Sequence, residues 1–323
     1  KAFVDERPWS SVRGFYESVL LDEEKMTSTA FPVSPVGCDL SIWRQKLEKP
    51  HGRARNDRKT YVMQVSYLGS NFSAVQRCPG IRTVQEEVEK ALKNMFANSS
   101  TSPQSLVLAG RTDSGVHAYG QIFSFHSWNE IDASDFVTGI NSRLPQDVRV
   151  VSMERMPRSF HANFAATWRK YCYIFPLREV LGGKYDVQAE AVDKILRSLE
   201  GRKCHYQSFS YKEHKTLLGN SDADVCCIMR ARAFNFHISP DQMALVVELK
   251  ANRFLRRMVR KLVATAIRAA AFPEDEFSFT AILDAQDSSC SAPPLPSTGL
   301  CLVGVGYDEY DMARGGAAIH LHG

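Results

Sequence analysis

The feature that most restricts the fold of this chain is a short polar loop enclosed by two apolar segments. Residues 106–109 and residues 122–125 are almost entirely apolar, and each is short enough to be a buried strand. Gly110 and Gly115 stand within the loop, where they permit backbone angles that other residues resist. We therefore expect a tight turn between two strands.

An arginine and an aspartate project from this turn, only one residue apart. A loop held between two strands can fix the Asp113 carboxylate at the mouth of a cleft, with Arg111 beside it. The alternative is an ordinary Asx turn, in which the Asp113 side chain bonds its own backbone. Spacing alone favours the turn, because Asp-x-Gly turns are common.

Regular patterns elsewhere alternate between strand and helix. Residues 61–67 alternate with the period of a strand, and Thr83 with Glu86 forms the sequence signature of a helix capping box. Further strands are predicted near 171–175, 231–238, 243–250 and 300–307, and helices near 84–96, 187–199, 252–271 and 279–286. We therefore predict an α+β fold of two similar mixed α/β halves, whose antiparallel sheets form a central cleft.

The same patterns divide the chain into four segments. Residues 1–59 are predicted to be an irregular N-terminal extension with a basic end, which either wraps a surface or is a solvated linker. The first half spans 60–168 and carries the Asp113 loop. The second half spans 169–310, and residues 311–323 form a tail.

Charge and cysteine content narrow the functional classes. The net charge of +4 is small, so an anionic partner has to be argued from where the cations lie. Seven cations cluster in the second half: Arg169, Lys170, Arg256, Arg257, Arg260, Lys261 and Arg268. This clustering indicates a nucleic-acid surface. The eight cysteines lack C-x-x-C spacing, which predicts free thiols in a reducing compartment and no metal site.

Five stretches of the chain resemble one family in its own order. Residues 110–117 read Gly-Arg-Thr-Asp-Ser-Gly-Val-His and resemble the catalytic signature of the TruA-type pseudouridine synthases. Residues 66–86, 160–173, 254–260 and 299–303 resemble the family's other motifs, so the likeness covers about 60 to 310. Two positions depart from the family pattern: Leu68 replaces an aspartate, and Ala74-Val75 replaces Gly-Trp. We expect these departures to affect substrate choice more than the chemistry.

The resemblance implies the pseudouridine synthase fold and an enzyme that needs neither a metal nor an organic cofactor. Asp113 is then the catalytic carboxylate, which either forms a covalent adduct or removes a sugar proton. Arg260 matches the cation that holds this carboxylate ionised, and Tyr171 matches the tyrosine that stacks on the target base. Without the resemblance, Arg260 reads as a phosphate-facing or solvated cation and Tyr171 as a core residue.

The cleft is then expected to bind RNA. We expect His161 to be structural, narrowly ahead of an RNA contact. The side chains predicted to contact RNA are Arg111, Thr112, His117, Arg169, Lys170, Arg256, Arg257 and Lys261, with His117 serving either RNA or the support of the loop.

The resemblance also sets expectations about substrate and partners. Transfer RNA is the first expected substrate and ribosomal RNA the second, and the enzyme is expected to form a homodimer, without a membrane association. Because the sequence opens with Lys1, a mitochondrial location is slightly favoured over a cytosolic or nuclear one. The alternatives are a non-catalytic RNA-binding factor with ribosome-assembly partners and, less strongly favoured, a nucleoside hydrolase.

Overall fold

The structure is a computed structural model that describes residues 2–20, 22, 31–33, 40, 43–44, 58–97, 104–180, 184–211, 224–273 and 278–307. The chain divides into two compact units. The first unit comprises Tyr16–Thr167 with Leu302–Glu309, and the second comprises Lys1–Phe15 with Trp168–Cys301 and the C-terminal residues.

Two helices open the chain, where an irregular extension was expected. Helix α1 spans Ala2–Asp5 and helix α2 spans Trp9–Leu20. Apolar side chains at helical spacing line the buried face of α2: Val12, Phe15, Tyr16, Val19 and Leu20. The expectation of irregular structure is therefore wrong for the residues of these two helices. Pro8 does not argue against helix here, because proline is tolerated at a helix start. Of the basic end, Arg53 and Arg55 lie outside the described residues.

The first unit is built on an antiparallel sheet that carries the Asp113 loop. Its elements are β1 (Lys59–Tyr67), α3 (Val84–Met95), β2 (Gln104–Leu108), β3 (His117–Ser127), α4 (Ala133–Asn141) and β4 (Val148–Met156). Strand β1 lies between β4 and β3, and β2 pairs with β3. The predicted capping box is confirmed, because the Glu86 backbone N–H donates to the Thr83 hydroxyl at 3.3 Å.

The second unit has its own run of antiparallel strands. Its elements are β5 (Trp168–Pro176), β6 (Glu179–Val180), β7 (Lys184–Tyr185), α5 (Ala189–Arg197), β8 (Lys203–His205), β9 (Val225–Ser239), β10 (Gln242–Ala251), α6 (Met258–Ala271) and α7 (Phe279–Ala285). The strand order is β5-β10-β9-β8, and β6 pairs with β7 as a separate hairpin. The final strand, β11 (Leu300–Gly306), begins in the second unit and ends in the first.

Helix α6 starts six residues later than the periodicity predicted. Arg257, the residue before the helix, has a left-handed backbone with φ of 59°. Upstream, the Asn252 side-chain oxygen accepts hydrogen bonds from the backbone N–H groups of Cys227 and Arg253. These contacts fix an irregular turn, so Arg256 and Arg257 stand on a loop and not on the helix. No helix among the described residues is long and apolar enough to cross a membrane.

Candidate active site

The loop that joins β2 to β3 carries Asp113, and the surrounding strands hold both of its ends. At its start, the Ala109 N–H donates to the carbonyl of Ile122 at 2.8 Å. The buried Gln121 side chain donates to the Gly110 carbonyl at 2.9 Å. At the end of the loop, the Val116 N–H donates to the Asp113 carbonyl at 3.2 Å and closes a tight turn. The predicted turn between two strands is confirmed.

Residues 67–72, at the end of β1 and in the turn after it, support this loop. The hydroxyls of Tyr67 and Thr112 lie 2.8 Å apart in a buried hydrogen bond. Gly69 approaches the loop so closely that a Cβ placed there would lie 1.8 Å from the Val116 carbonyl oxygen. The Gly115 N–H donates to the Phe72 carbonyl at 3.3 Å, and Gly115 itself has φ of 77°. Only glycine fits at Gly69, and glycine is strongly favoured at Gly115.

The exposed side chains of the loop are those placed to meet a substrate. Arg111 and Ser114 are exposed, and Asp113 is half-buried. Thr112 is 7% exposed and bonds Tyr67, a geometry that suits support of the loop, while its predicted contact with RNA stays a prediction. The loop therefore presents one carboxylate and one guanidinium from a rigid backbone.

The surroundings of His117 favour the support of the loop, which is one of its two expected roles. Its side chain is fully buried, and its Nδ1 accepts a hydrogen bond from the Gly69 N–H at 3.3 Å. The ring of Tyr16, from helix α2, stacks on the imidazole with centroids 4.5 Å apart and planes inclined at 22°. The expectation that His117 could serve the second layer of the site is consistent with this geometry.

In the second unit, strand β5 positions Tyr171. Tyr171 pairs in register with Leu249 of β10, and its side chain is 9% exposed. The ring of Phe254 meets it edge-on, with centroids 5.1 Å apart. Tyr173, two residues along the same face, is fully buried and donates its hydroxyl to the Pro296 carbonyl at 2.7 Å. Tyr171 thus stands at the boundary of an aromatic core.

Arg260 lies beside the same face of β5. Its Nε donates to the Leu295 carbonyl at 2.6 Å, and its guanidinium remains half-buried. Burial raises the pKa of Tyr173 well above its ordinary value, while the positive charge of Arg260 acts to lower it. Arg260 and Tyr173 donate to the carbonyls of two adjacent residues, Leu295 and Pro296, so both side chains meet the same short segment.

The two lysines predicted to bind RNA are both buried, which argues against a direct RNA contact by either. Lys170 is 6% exposed and forms an ion pair with Glu248 at 3.2 Å, on the strand face opposite Tyr171. Lys261 is 8% exposed, and its ammonium donates to three backbone carbonyls, those of Ser208, Ser210 and Ser288. Burial lowers the pKa of Lys261. Both cations therefore serve the interior of the unit.

The remaining predicted cations are more accessible. The guanidinium of Arg256 lies 5.0 Å from the ring centroid of Tyr211, and that of Arg257 lies 4.2 Å from it. Arg256 is exposed, Arg257 is half-exposed, and the tyrosine ring between them is 42% exposed. Arg169 donates to the Asn252 carbonyl at 3.2 Å. An exposed tyrosine flanked by two arginines is a suitable surface for phosphates and bases.

The two departures from the family pattern have an unexpected location. Leu68 is 3% exposed and Val75 is 2% exposed, so both side chains lie in the core of the first unit. The backbone of Val75 accepts a hydrogen bond from the N–H of Gln85, at the start of α3. Leu68 and Val75 therefore contribute to packing, whereas Ala74 is half-buried, and an effect of these departures on substrate choice stays a prediction.

Sequence reasoning missed one residue that holds the loop from outside the motif. The Asn163 side chain donates to the Ala109 carbonyl at 2.9 Å. Asn163 follows His161 in a stretch that the sequence singled out only by its resemblance. A polar side chain in the middle of that stretch was the available signal. Within the described ranges, no three His, Cys, Asp or Glu side chains form a group suited to a metal ion.

Comparison with known proteins gives matches over most of the chain. Residues 63–165 and 189–308 match the family described as tRNA pseudouridine synthase. Relatives named tRNA pseudouridine synthase A, from Escherichia coli O1:K1 / APEC and Shigella boydii serotype 18, are each 30% identical over 261 residues, which are 78% of this chain and 92% of theirs. A crystal structure of an unknown protein from Galdieria sulphuraria is 14% identical over 68% of this chain and 94% of its own, with a TM-score of 0.20, which is too low to establish a shared fold.

Proposed function

The chain belongs to the tRNA pseudouridine synthase family, and we propose that Asp113, Tyr171 and Arg260 carry out its isomerisation of uridine to pseudouridine in tRNA. The observation that carries this proposal is the Asp113 loop. The signature residues form a turn that Tyr67, Gly69 and neighbouring groups hold rigidly while the carboxylate stays accessible. Rigid support is what a catalytic group requires.

The reaction moves one bond within the substrate. The glycosidic bond between N1 of uracil and C1′ of ribose breaks, the base turns, and C5 bonds to C1′. The proton on C5 is lost and N1 gains one, so atoms and electrons balance without an oxidant or an imported group. Since a stacked uridine cannot be reached, the nucleotide must leave the helix or loop before reaction.

Asp113 acts as the carboxylate in this scheme. The route through a covalent adduct and the route through removal of a sugar proton both require its ionised form. Burial under a bound base disfavours the ionised form of a carboxyl group, whereas a nearby cation favours it. We assign that cation to Arg260.

Tyr171 supplies the surface for the flipped base. A planar base outside its stack is stabilised by an aromatic ring, and the edge-on contact with Phe254 fixes the orientation of this one. We assign removal of the C5 proton to the Tyr171 hydroxyl, which passes its own proton to water as it takes up the one from C5. The exposed or half-exposed cations Arg111, Arg169, Arg256 and Arg257 are assigned to the RNA backbone.

Mapping of pseudouridine in an unmodified tRNA transcript tests the assignment. Asp113→Asn keeps the size of the side chain but removes the charge, so we expect product formation to fall at least about a thousandfold. Asp135→Asn, at an exposed carboxylate of the same unit, is the matched control and should retain full activity. Undiminished product from Asp113→Asn would refute the assignment.

Free uridine and RNA binding distinguish the alternatives. Release of uracil from free uridine would favour a nucleoside hydrolase. Tight RNA binding without isomerisation by the wild type would favour a non-catalytic factor, although burial of Leu68 and Val75 removes one motive for that reading. The names of the relatives support tRNA. Ribosomal RNA, the homodimer, assembly partners and the mitochondrial location stay predictions.

A further inference from the structure

Phe164 is an exposed aromatic ring close to the catalytic loop. Its side chain is 66% exposed, the largest value among the bulky apolar side chains of the described residues. Folded chains normally bury phenylalanine, and an isolated exposed ring needs no explanation. This ring is different because its orientation is fixed and the residue before it is bonded to the Asp113 loop.

The imidazole of His161 holds the ring in place. The two rings stack with centroids 4.3 Å apart and planes inclined at 27°. The His161 Nδ1 accepts hydrogen bonds from the backbone N–H groups of Asn163 and Phe164, at 3.3 and 3.2 Å. Those bonds fix the imidazole relative to the turn, so the phenylalanine ring presents one constant face.

The turn beneath this ring pair is anchored in the first unit. The Ala162 N–H donates to the Ser124 hydroxyl at 3.3 Å, and the Tyr307 hydroxyl donates to the Ala162 carbonyl at 2.8 Å. Phe160, at the start of the turn, is buried and meets the ring of Tyr307 at 5.0 Å. The exposed position of Phe164 is therefore a property of a well-packed turn.

The same turn is bonded directly to the loop that carries Asp113. The Asn163 side chain donates to the carbonyl of Ala109, which stands four residues before Asp113 in the chain. Two exposed arginines, Arg111 and Arg158, stand in the loop and at the base of the turn. A fixed aromatic face, on a turn bonded to a loop that carries an exposed arginine, matches the chemistry of single-stranded nucleic acid, in which bases stack and phosphates are neutralised.

We propose that the Phe164–His161 pair is a stacking site for an unpaired nucleobase of the substrate RNA, a neighbour of the uridine that is flipped out. Extrusion of one nucleotide leaves the adjacent base without a stacking partner on one side, and Phe164 replaces that partner. The proposal deepens the proposed function, because it assigns a contact to the flanking RNA beside the same loop.

Binding measurements on an unmodified tRNA transcript test this site. They are made in the Asp113→Asn background so that turnover does not intervene. We expect Phe164→Ala to weaken the Kd by roughly tenfold, the effect of losing one base–aromatic stack, and to leave the salt dependence of the Kd unchanged. Phe164→Trp should restore the affinity, and the fluorescence of the new tryptophan should be quenched when RNA is added.

Trp128→Ala is the matched control, since Trp128 is a second exposed aromatic of the same unit, 47% exposed. Its Kd should stay within about twofold of the parent. A Phe164→Ala affinity within that same range, or a failure of Phe164→Trp to restore binding, would overturn the stacking site and leave a protein partner as the explanation of the exposed ring. Because these experiments read binding alone, they succeed or fail independently of pseudouridine formation by the wild type.

Discussion

At the scale of single residues, the basic side chains between 252 and 271 differ sharply in their surroundings. Arg256 is exposed beside the ring of Tyr211, whereas Lys261 is buried and bonds three carbonyl oxygens. A contact with phosphate adds to affinity and to its salt dependence, while a buried ammonium adds to folding. Replacement of Arg256 should therefore change RNA binding, and replacement of Lys261 should change stability.

Lys261→Met is expected to lower the free energy of unfolding by about 1–3 kcal/mol, because it leaves buried carbonyls without their donor. It should leave the slope of log Kd for tRNA against log salt unchanged. Arg256→Ala should reduce that slope by about one and change stability by less than about 0.5 kcal/mol. Urea unfolding and binding titrations at several salt concentrations measure both effects. If both variants reduced the slope of log Kd against log salt equally, Lys261 would have to contact the RNA phosphates.

The sequence singled out the Asp113 loop, but it did not distinguish these cations. Arg111 and Asp113 stand in a motif whose residue order is itself informative. The burial of Lys261 depends on carbonyls from Ser208, Ser210 and Ser288, which are distant in the chain and carry no sequence pattern. Side-chain type predicts charge, whereas burial depends on contacts that only the fold brings together.

At the scale of secondary-structure elements, the turn after β1 supports the catalytic loop by direct contact. Gly69→Ala would place a Cβ 1.8 Å from the Val116 carbonyl oxygen, a distance that forces one backbone to move. Since Val116 closes the Asp113 turn, we expect pseudouridine formation to fall at least about a hundredfold. The check is kcat and KM on a tRNA transcript, together with a thermal melt.

Gly14→Ala is the matched control, because a Cβ at this exposed position of α2 meets no atom within 4 Å. Alanine favours helix over glycine, so this variant should be more stable by about 0.5–1 kcal/mol and fully active. Equal activity of the two alanine variants would show that the close approach at Gly69 does not matter for catalysis.

Helix α2 supports the catalytic loop through Tyr16, which stacks on the buried His117. Tyr16→Leu removes the stack, and we expect kcat to fall several-fold with little change in KM, because the loop loses order and no RNA contact is lost. Tyr16→Phe keeps the ring and should restore kcat. If KM rises in Tyr16→Leu while kcat is preserved, the helix serves RNA binding instead.

Elements with a strong period were predictable, whereas a short helix and an irregular helix start were not. The strand at 59–67 and the capped helix at 84–95 follow their patterns closely. Helix α4 went unpredicted, although Asp132 caps it and Phe136 and Ile140 share its buried face. The start of α6 was misplaced because the left-handed Arg257 and the Asn252 turn interrupt an apolar pattern that runs through them.

At the scale of the whole molecule, the second unit holds several buried thiol and phenol groups whose pKa values are raised. Burial raises the pKa of Cys226 from 9.0 to about 12, and it raises the pKa values of Cys172 and Tyr173 well above their ordinary values. In the unfolded chain these groups ionise at their ordinary pKa values. Their contribution to stability is therefore complete below about pH 9 and is lost as the pH rises toward the folded-state values.

The net charge counted from the sequence cannot show this difference, because the count treats every thiol alike, whereas burial decides which thiols ionise.

We expect the free energy of unfolding to fall between about pH 7.5 and about pH 10, with Cys226 contributing roughly 1.4 kcal/mol of the loss. Cys226→Ala should reduce the pH dependence by that amount, whereas Cys290→Ala, at a half-buried thiol of the same unit, should not. Urea unfolding under reducing conditions at both pH values measures the difference. An identical pH dependence in wild type and Cys226→Ala would mean that this thiol ionises as readily in the folded chain as in the unfolded one, in spite of its complete burial.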